Sequence, residues 1–268
     1  MDRRPPEGDA LDVPSAARMY DYFLGGAHNF AVDRQAAEKV IAVHPDFPLM
    51  MRANRAFLRR AVAYLADQGV TQFLDIGSGI PTVGNVHEVV QQVQPAARVA
   101  YVDVDPIAVA HSQDMLAGNP NAAIIEADAR DTATLLQHPT IRRFLDWDKP
   151  LAILLVAVLH FIIEDAEAAR IVATVRQALP TGGFLVISHG TSDTVTAETS
   201  EQLLGRYAAT DNPTTTRSRS QVEDFFAGLD LVPPGIVLTP LWRPESPDDL
   251  LLDNPTRSAI WAGVGRKG

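Results

Sequence analysis

From residue 71 onward, short apolar runs alternate with longer stretches in which apolar residues recur every three or four positions. The runs 71–76 (TQFLDI), 98–104 (RVAYVDV), 122–126, 151–159 and 183–188 (GFLVIS) have the length and content of strands. Helical periodicity fills 83–93, 106–117 and 165–178, with Pro106 at a helix-starting position. Two further strands are expected near 235–238 and 259–264. Strands that are apolar on both faces and alternate with helices predict an α/β fold: a doubly wound, mostly parallel sheet of seven strands, covered on both sides.

The flanking segments follow a different pattern. Residues 15–42 read as helix broken at Gly25-Gly26, and Pro45 and Pro48 mark a loop. A helix over 50–67 places Phe57, Ala61 and Tyr64 on one face, with Gly69 where a helix C-cap glycine belongs. The polar, threonine-rich stretch 191–219 carries a helix near 198–208. Ser220 and Glu223 then read as a capping box. The expected organisation is a disordered 1–14 and a single domain over 15–268, in which 15–68 form a helical extension or lid.

Composition narrows the chemistry. The chain has no cysteine, which removes disulfides, thiolate catalysis and zinc–thiolate sites. A net charge of −10 argues against general affinity for nucleic acid. The polar, proline-rich start has no apolar signal-peptide core, and the longest apolar run, 151–163, is interrupted by His160 and too short for a bilayer. No membrane partner is expected, and a cytoplasmic location is the reading that remains. No HExxH-like spacing or acidic cluster suggests a metal site.

Three strand ends in succession carry polar devices. The first strand runs into Asp75 and then the turn Gly77-Ser78-Gly79, where glycines let the backbone pass close to a ligand. The next ends at Tyr101-Val-Asp-Val-Asp-Pro106, where Asp103 can accept both hydroxyls of a ribose and Asp105 can instead cap the following helix. The third ends at Asp128-Ala129, where a carboxylate can meet an adenine amino group. Each alone also reads as an ordinary turn or cap; together they define a nucleoside site at the switch point of a Rossmann-like sheet.

These blocks resemble the successive cofactor motifs of class I S-adenosylmethionine (SAM) dependent methyltransferases. More narrowly, DIGSGIPT, YVDVDP and VLHFI, preceded by ARMYDYFLGGAHNF and closed by WAGVGRK, resemble a bacterial S-adenosyl methyltransferase family formerly catalogued as a domain of unknown function. The resemblance runs from Pro14 onward. It implies SAM as cofactor, with Gly77, Ser78 and Gly79 against its methionine and ribose part, Asp103 and Val104 at the ribose, and Asp128 with Ala129 at the adenine. Pro81 departs from the wider class, in which a third glycine is common at that position.

Other candidates carry two readings each. Tyr20, Tyr22 and Asn29, around the Gly-Gly hinge, either fold over the cofactor as a lid or belong to a helix–turn–helix packing unit. Arg60, on an apolar helix face, either meets the methionine carboxylate or makes an internal salt bridge, and Arg55 competes for the ligand role. His160 and His189 end strands four and five, where either can serve as a general base or as a packing residue. A dinucleotide oxidoreductase would need a second mononucleotide-binding half. The expected function is methyl transfer from SAM to an unidentified small-molecule acceptor; the alternative is a non-catalytic SAM-binding regulator.

Overall fold

The computed structural model describes residues 13–81, 84–208 and 210–268. The expected disorder of 1–14 falls mostly on residues 1–12, outside the described residues; Val13 is placed, and its carbonyl accepts from Arg18 Nη2 at 2.6 Å.

Three helices come first: α1 (Ala16–Leu24), α2 (Ala31–Val43) and α3 (Phe47–Asp67). Gly25, at φ +84°, ends α1 through backbone bonds to Asp21 and Tyr22 carbonyls, the left-handed cap that glycine adopts without a Cβ clash. The sheet follows, as β1 (Gln72–Ile76), α4 (Val86–Val93), β2 (Arg98–Asp103), α5 (Pro106–Met115) and β3 (Ala122–Glu126). Next come α6 (Thr132–Gln137), α7 (Pro139–Phe144), β4 (Ala152–Val156), α8 (Asp165–Ala178), β5 (Phe184–Gly190), α9 (Ala197–Tyr207) and α10 (Arg219–Asp224). The chain closes with β6 (Asp230–Leu231), β7 (Val237–Leu238) and β8 (Ile260–Arg266).

The sheet order is β3-β2-β1-β4-β5-β8-β6, with β7 also pairing β8. Strands β1 to β5 are parallel, and β8 enters antiparallel beside β5, Ser188 opposite Ala262. The chain reverses direction across the sheet between β1 and β4, and this switch point leaves a crevice at the strands' C-terminal ends. All seven expected strands are present; the eighth, β6, is two residues long and carries too little pattern to read. The strands are apolar on both faces because each face packs on helices. Leu74, Ile153 and Leu185 face one layer, and Phe73, Leu154 and Val186 the other.

Several boundaries move. Strand four stops at Val156 rather than running to Leu159: Ala157 takes φ +59°, and residues 159–161 form a 3-10 turn. His160 therefore sits on a turn. Strand five continues to Gly190, which puts His189 inside a strand. Ser218, not Ser220, caps α10, with Gln221 as its capping-box partner. Among the described residues no helix is long and apolar enough to cross a membrane, and no His/Asp/Glu cluster has metal-binding geometry.

Candidate functional site

A cleft of about 270 Å³ opens at the C-terminal ends of β1, β2, β3 and β4, roofed by α1, α3 and α9. Its floor is the glycine turn. Gly77 N and Ser78 N donate to the Val102 carbonyl at 2.7 and 3.0 Å, which ties the turn to the neighbouring strand. Gly77 stands at φ +74°, and a Cβ there would run into the Val158 side chain. Gly79 stands at φ +67°, where a Cβ would meet nothing within 4 Å and would project into open space. The two glycines are thus required for different reasons. Gly77→Ala is expected to destabilise the fold by about 3 kcal/mol, the left-handed dihedral and the Val158 overlap adding together. Gly79→Ala should carry only the dihedral cost, and thermal unfolding of the two variants separates them.

Asp103 is the structural partner of that turn. Its Oδ2 accepts from Gly79 N at 2.6 Å and its Oδ1 from Asp105 N at 2.9 Å, leaving a second lone pair on each oxygen. Burial raises its pKa, and these backbone N–H groups oppose the rise. Asp105 does cap α5, accepting from Ile107 N at 2.8 Å. Asp128 caps the 3-10 turn 129–131 at the cleft's rim, where Arg130 bonds both of its oxygens. Val104 and Ala129 line the cleft between these carboxylates.

Asp75 and Arg55 form the charged wall. Asp75 is buried, which pushes its carboxyl up to about 7; the Arg55 cation works against that rise and the Asp103 charge adds to it. Ser78 Oγ, also on the cleft, is buried without a hydrogen-bond partner.

On the other side, Tyr20 reaches the cleft from α1 and is tied to the sheet by a chain of side chains. Its hydroxyl donates to the Met51 carbonyl at 3.2 Å and accepts from Asn54 Nδ2 at 3.0 Å. Asn54 Oδ1 accepts from Ser188 Oγ at 2.6 Å, and Ser188 Oγ accepts from Ala157 N at 3.0 Å. This relay joins α1 and α3 to β5 and to the left-handed Ala157. The signal for it in the sequence is a polar Asn54 on the apolar face of α3.

His160, on the turn after Ala157, lines the cleft with Nδ1 buried and unpartnered. Its ring packs between Phe161 and His189, and this burial, with the nearby Arg217 cation, depresses its pKa to about 3. It is a neutral imidazole across the ordinary pH range.

Four of the residues singled out from the sequence are not brought to the cleft. His189 is fully buried: Nδ1 donates to the Gly190 carbonyl and Nε2 accepts from Arg217 Nη1, both at 2.8 Å, which fixes its neutral tautomer. Of its two expected contacts, Arg60 makes the internal ion pair, a long one to Asp249, and adds shorter bonds to main-chain carbonyls. It donates to the carbonyls of Trp242 at 2.9 Å and Thr239 at 2.7 Å, with Asp249 at 4.0 Å, and so pins α3 to the C-terminal segment. Tyr22 turns outward to Glu38. Asn29 is spent on Asp21, the Gly26 carbonyl and Arg34, closing the Gly-Gly loop locally. The residue that sequence reasoning misses is Arg217. Buried, it donates to the carbonyls of Leu159 and Ile162 and to His189, and pairs with Asp165 at 2.9 Å. It clasps the turn that carries His160 from both ends.

A parallel sheet with a switch-point crevice, a glycine turn held by a buried carboxylate and a third acid at the rim have the architecture of the class I methyltransferases. A sequence profile of the S-adenosyl methyltransferase family matches residues 5–268, and the chain belongs to that family, whose cofactor is SAM. No curated protein matches it. Two solved structures superpose closely over the chain. One is a protein of Thermobifida fusca provisionally called a methyltransferase (39% identity, 96% of this chain and 97% of that one, TM-score 0.90). The other is a DUF574 family protein of Streptomyces avermitilis (38% identity, 96% and 99%, TM-score 0.90). An O-methyltransferase family protein of Burkholderia thailandensis shares the fold at 14% identity (95% and 64%, TM-score 0.54).

Proposed function

We propose that the protein transfers the methyl group of SAM to a small-molecule acceptor, using the cleft as its active site. The observation that carries this reading is the convergence of three strand ends, Asp75 with the glycine turn, Asp103 and Asp128, on one cavity that continues past them toward His160 and α9. The residues present fit the cofactor. The spare lone pairs of Asp103 suit the two ribose hydroxyls, and Asp128 with Ala129 suits the adenine edge. Asp75 and Arg55 offer opposite charges to the ammonium and carboxylate of the methionine end. The unpartnered Ser78 Oγ and the open space over Gly79 lie where a ligand would be received. Bound there, SAM supplies an electrophilic methyl carbon on a sulfonium.

The chain's own contribution is alignment and exclusion of water. Within the helical extension 15–68, α1 and α2 act as the lid and α3, packed on the sheet, anchors them through the Tyr20–Asn54–Ser188 relay. His160 offers an unpartnered Nδ1 to orient an acceptor by hydrogen bond, while its pKa of about 3 makes it too weak a base to hold the acceptor's proton at neutral pH. His189 supports it from behind rather than touching the acceptor.

The test is calorimetric titration with SAM, S-adenosylhomocysteine (SAH) and NAD. Binding of the first two and not the third is expected; NAD binding, or no binding, sinks the reading. A non-catalytic SAM-binding protein would give the same titration and part company at turnover.

A pH dependence follows from Asp75. Its pKa of about 7 means that the carboxyl is protonated below that pH in the free protein. Binding an ammonium favours the carboxylate, so SAH affinity should fall with decreasing pH, by up to about tenfold per unit below about pH 7. The groups that face it are the Arg55 cation, the Asp103 carboxyl and Tyr101, whose pKa burial raises so that its phenol stays neutral. Asp75→Asn should flatten the profile; an unchanged slope would remove Asp75 from the ligand's charged end.

A further inference from the structure

The cleft is divided by charge. Its ionic side chains, Asp75, Asp103, Asp105, Asp128, Arg130 and Arg55, belong to the β1–β3 ends or to the part of α3 facing them. Beyond His160 no lining residue among those described carries a charge. The wall there is built by α9, whose residues Ser200, Leu203, Leu204 and Tyr207 all face the cavity while Glu198, Glu201 and Arg206 are exposed. The spacing is that of one helical stripe, so α9 presents an apolar face to the cavity and a charged face to water. Opposite stand Tyr20, Phe47 and the two methionines Met50 and Met51. The polar groups left on this side are neutral hydroxyls and amides, on Thr191, Ser200, Thr214–Thr216, Asn212 and, beside Tyr20, Asn54.

A charged acceptor would lose its hydration in this half with no countercharge to replace it. A flat apolar ring gains from the methionine sulfurs and the edges of Tyr20, Phe47 and Tyr207. Burial also raises the Tyr207 pKa, which marks the dryness of this wall. Resting on the methyltransferase reading of the cleft, we infer that the acceptor is an uncharged, largely apolar aromatic compound whose polar group is a hydroxyl or similar neutral function. Phosphorylated, carboxylated and cationic acceptors, and the charged side chains of proteins, are excluded by the same wall.

A matched pair of probes tests this at neutral pH: 2-naphthol and 6-hydroxynaphthalene-2-sulfonate, which share a ring system and differ in charge. Binding is measured by calorimetry with and without saturating SAH, for the whole protein and for Leu203→Lys and Leu203→Met. Leu203 is only partly buried, on a helix with no buried residue, so both variants should fold. SAH affinity checks that they do. The expected result is at least tenfold tighter binding of 2-naphthol, kept in Leu203→Met and abolished or reversed in Leu203→Lys. Equal or tighter binding of the sulfonate, no binding of 2-naphthol, or an unchanged preference in Leu203→Lys would overturn the inference. Failure to bind SAH would instead sink the cofactor reading, and the naphthol preference measured without SAH would still decide the acceptor side.

Discussion

Asp103→Ala should weaken SAH binding by about a hundredfold, close to 3 kcal/mol. Two losses combine. In the proposed mode of cofactor binding the carboxylate holds both ribose hydroxyls, and in the structure it holds Gly79 N at 2.6 Å and Asp105 N at 2.9 Å. Without it the glycine turn loses its fastening to β2 on the side that faces ligand, while the Gly77 and Ser78 bonds to Val102 remain. Asp103→Asn keeps one acceptor oxygen and should lose about tenfold, the worth of one charge-assisted bond. Because the Gly79 and Asp105 N–H groups that it holds are only part-buried and line the open cleft, where water can replace the carboxylate, the unliganded Ala variant should unfold within a few degrees of wild type. Calorimetry gives both quantities. An Ala variant that bound SAH like the wild type would show that the cleft does not hold a ribose at β2.

The largest effect on stability is expected at Arg217. Replacing it with Met preserves bulk but removes every donor. The carbonyls of Leu159 and Ile162 and the Nε2 of His189 would then stay buried without partners. Unsatisfied buried groups of this kind cost about 1–3 kcal/mol each, so a loss of roughly 3–5 kcal/mol is expected. For a chain of this size that corresponds to a fall in Tm of about 10 °C. The ion pair with Asp165 contributes little of this, because that carboxylate is 67% exposed. Differential scanning calorimetry measures the loss, and hydrogen exchange should locate it at residues 159–162 and at Arg217's own N–H, which bonds the Gly190 carbonyl. A Tm within two or three degrees of wild type would mean that the clasp is dispensable.

The legible part of this protein is the part encoded locally. Each βα unit announces itself through a short apolar run and a periodic stretch, and the strand-end acids follow their strands directly in sequence. The caps formed by Asp105 and Asp128 can be read because each lies within two residues of its acid, whereas the bond from Gly79 N to Asp103 spans 24 positions and is suggested only by the order of the strand ends. Arg60 cannot: its partners are the carbonyls of Thr239 and Trp242, from the far end of the chain, and nothing near Arg60 signals them. His189 is misplaced by pattern alone because the apolar run ends one residue before it, while the antiparallel β8 extends the ladder to Gly190. The cap of α10 goes to Ser218 over Ser220 in a segment, RSRSQVED, that offers two serines, each with a Gln or Glu three positions on. Asn54 and Ser188 are invisible as a pair, since a bond between residues so far apart leaves no periodic trace.

The clasp at Arg217 also divides the chain into a part that is fixed and a part that is free to vary. The segment from Thr191 to Thr216 leaves the sheet at Gly190 and returns at Arg217, whose N–H bonds the Gly190 carbonyl at 3.2 Å. Its two ends therefore meet at one point on the framework. Everything that shapes the uncharged side of the cleft from α9 lies inside that loop, and everything that holds the nucleoside side lies outside it. Such a segment behaves as an interchangeable cassette. Exchanging it between relatives of the same fold should replace the α9 half of the uncharged wall, leaving Tyr20, Phe47, Met50 and Met51, the glycine turn, the sheet and the clasp as they were.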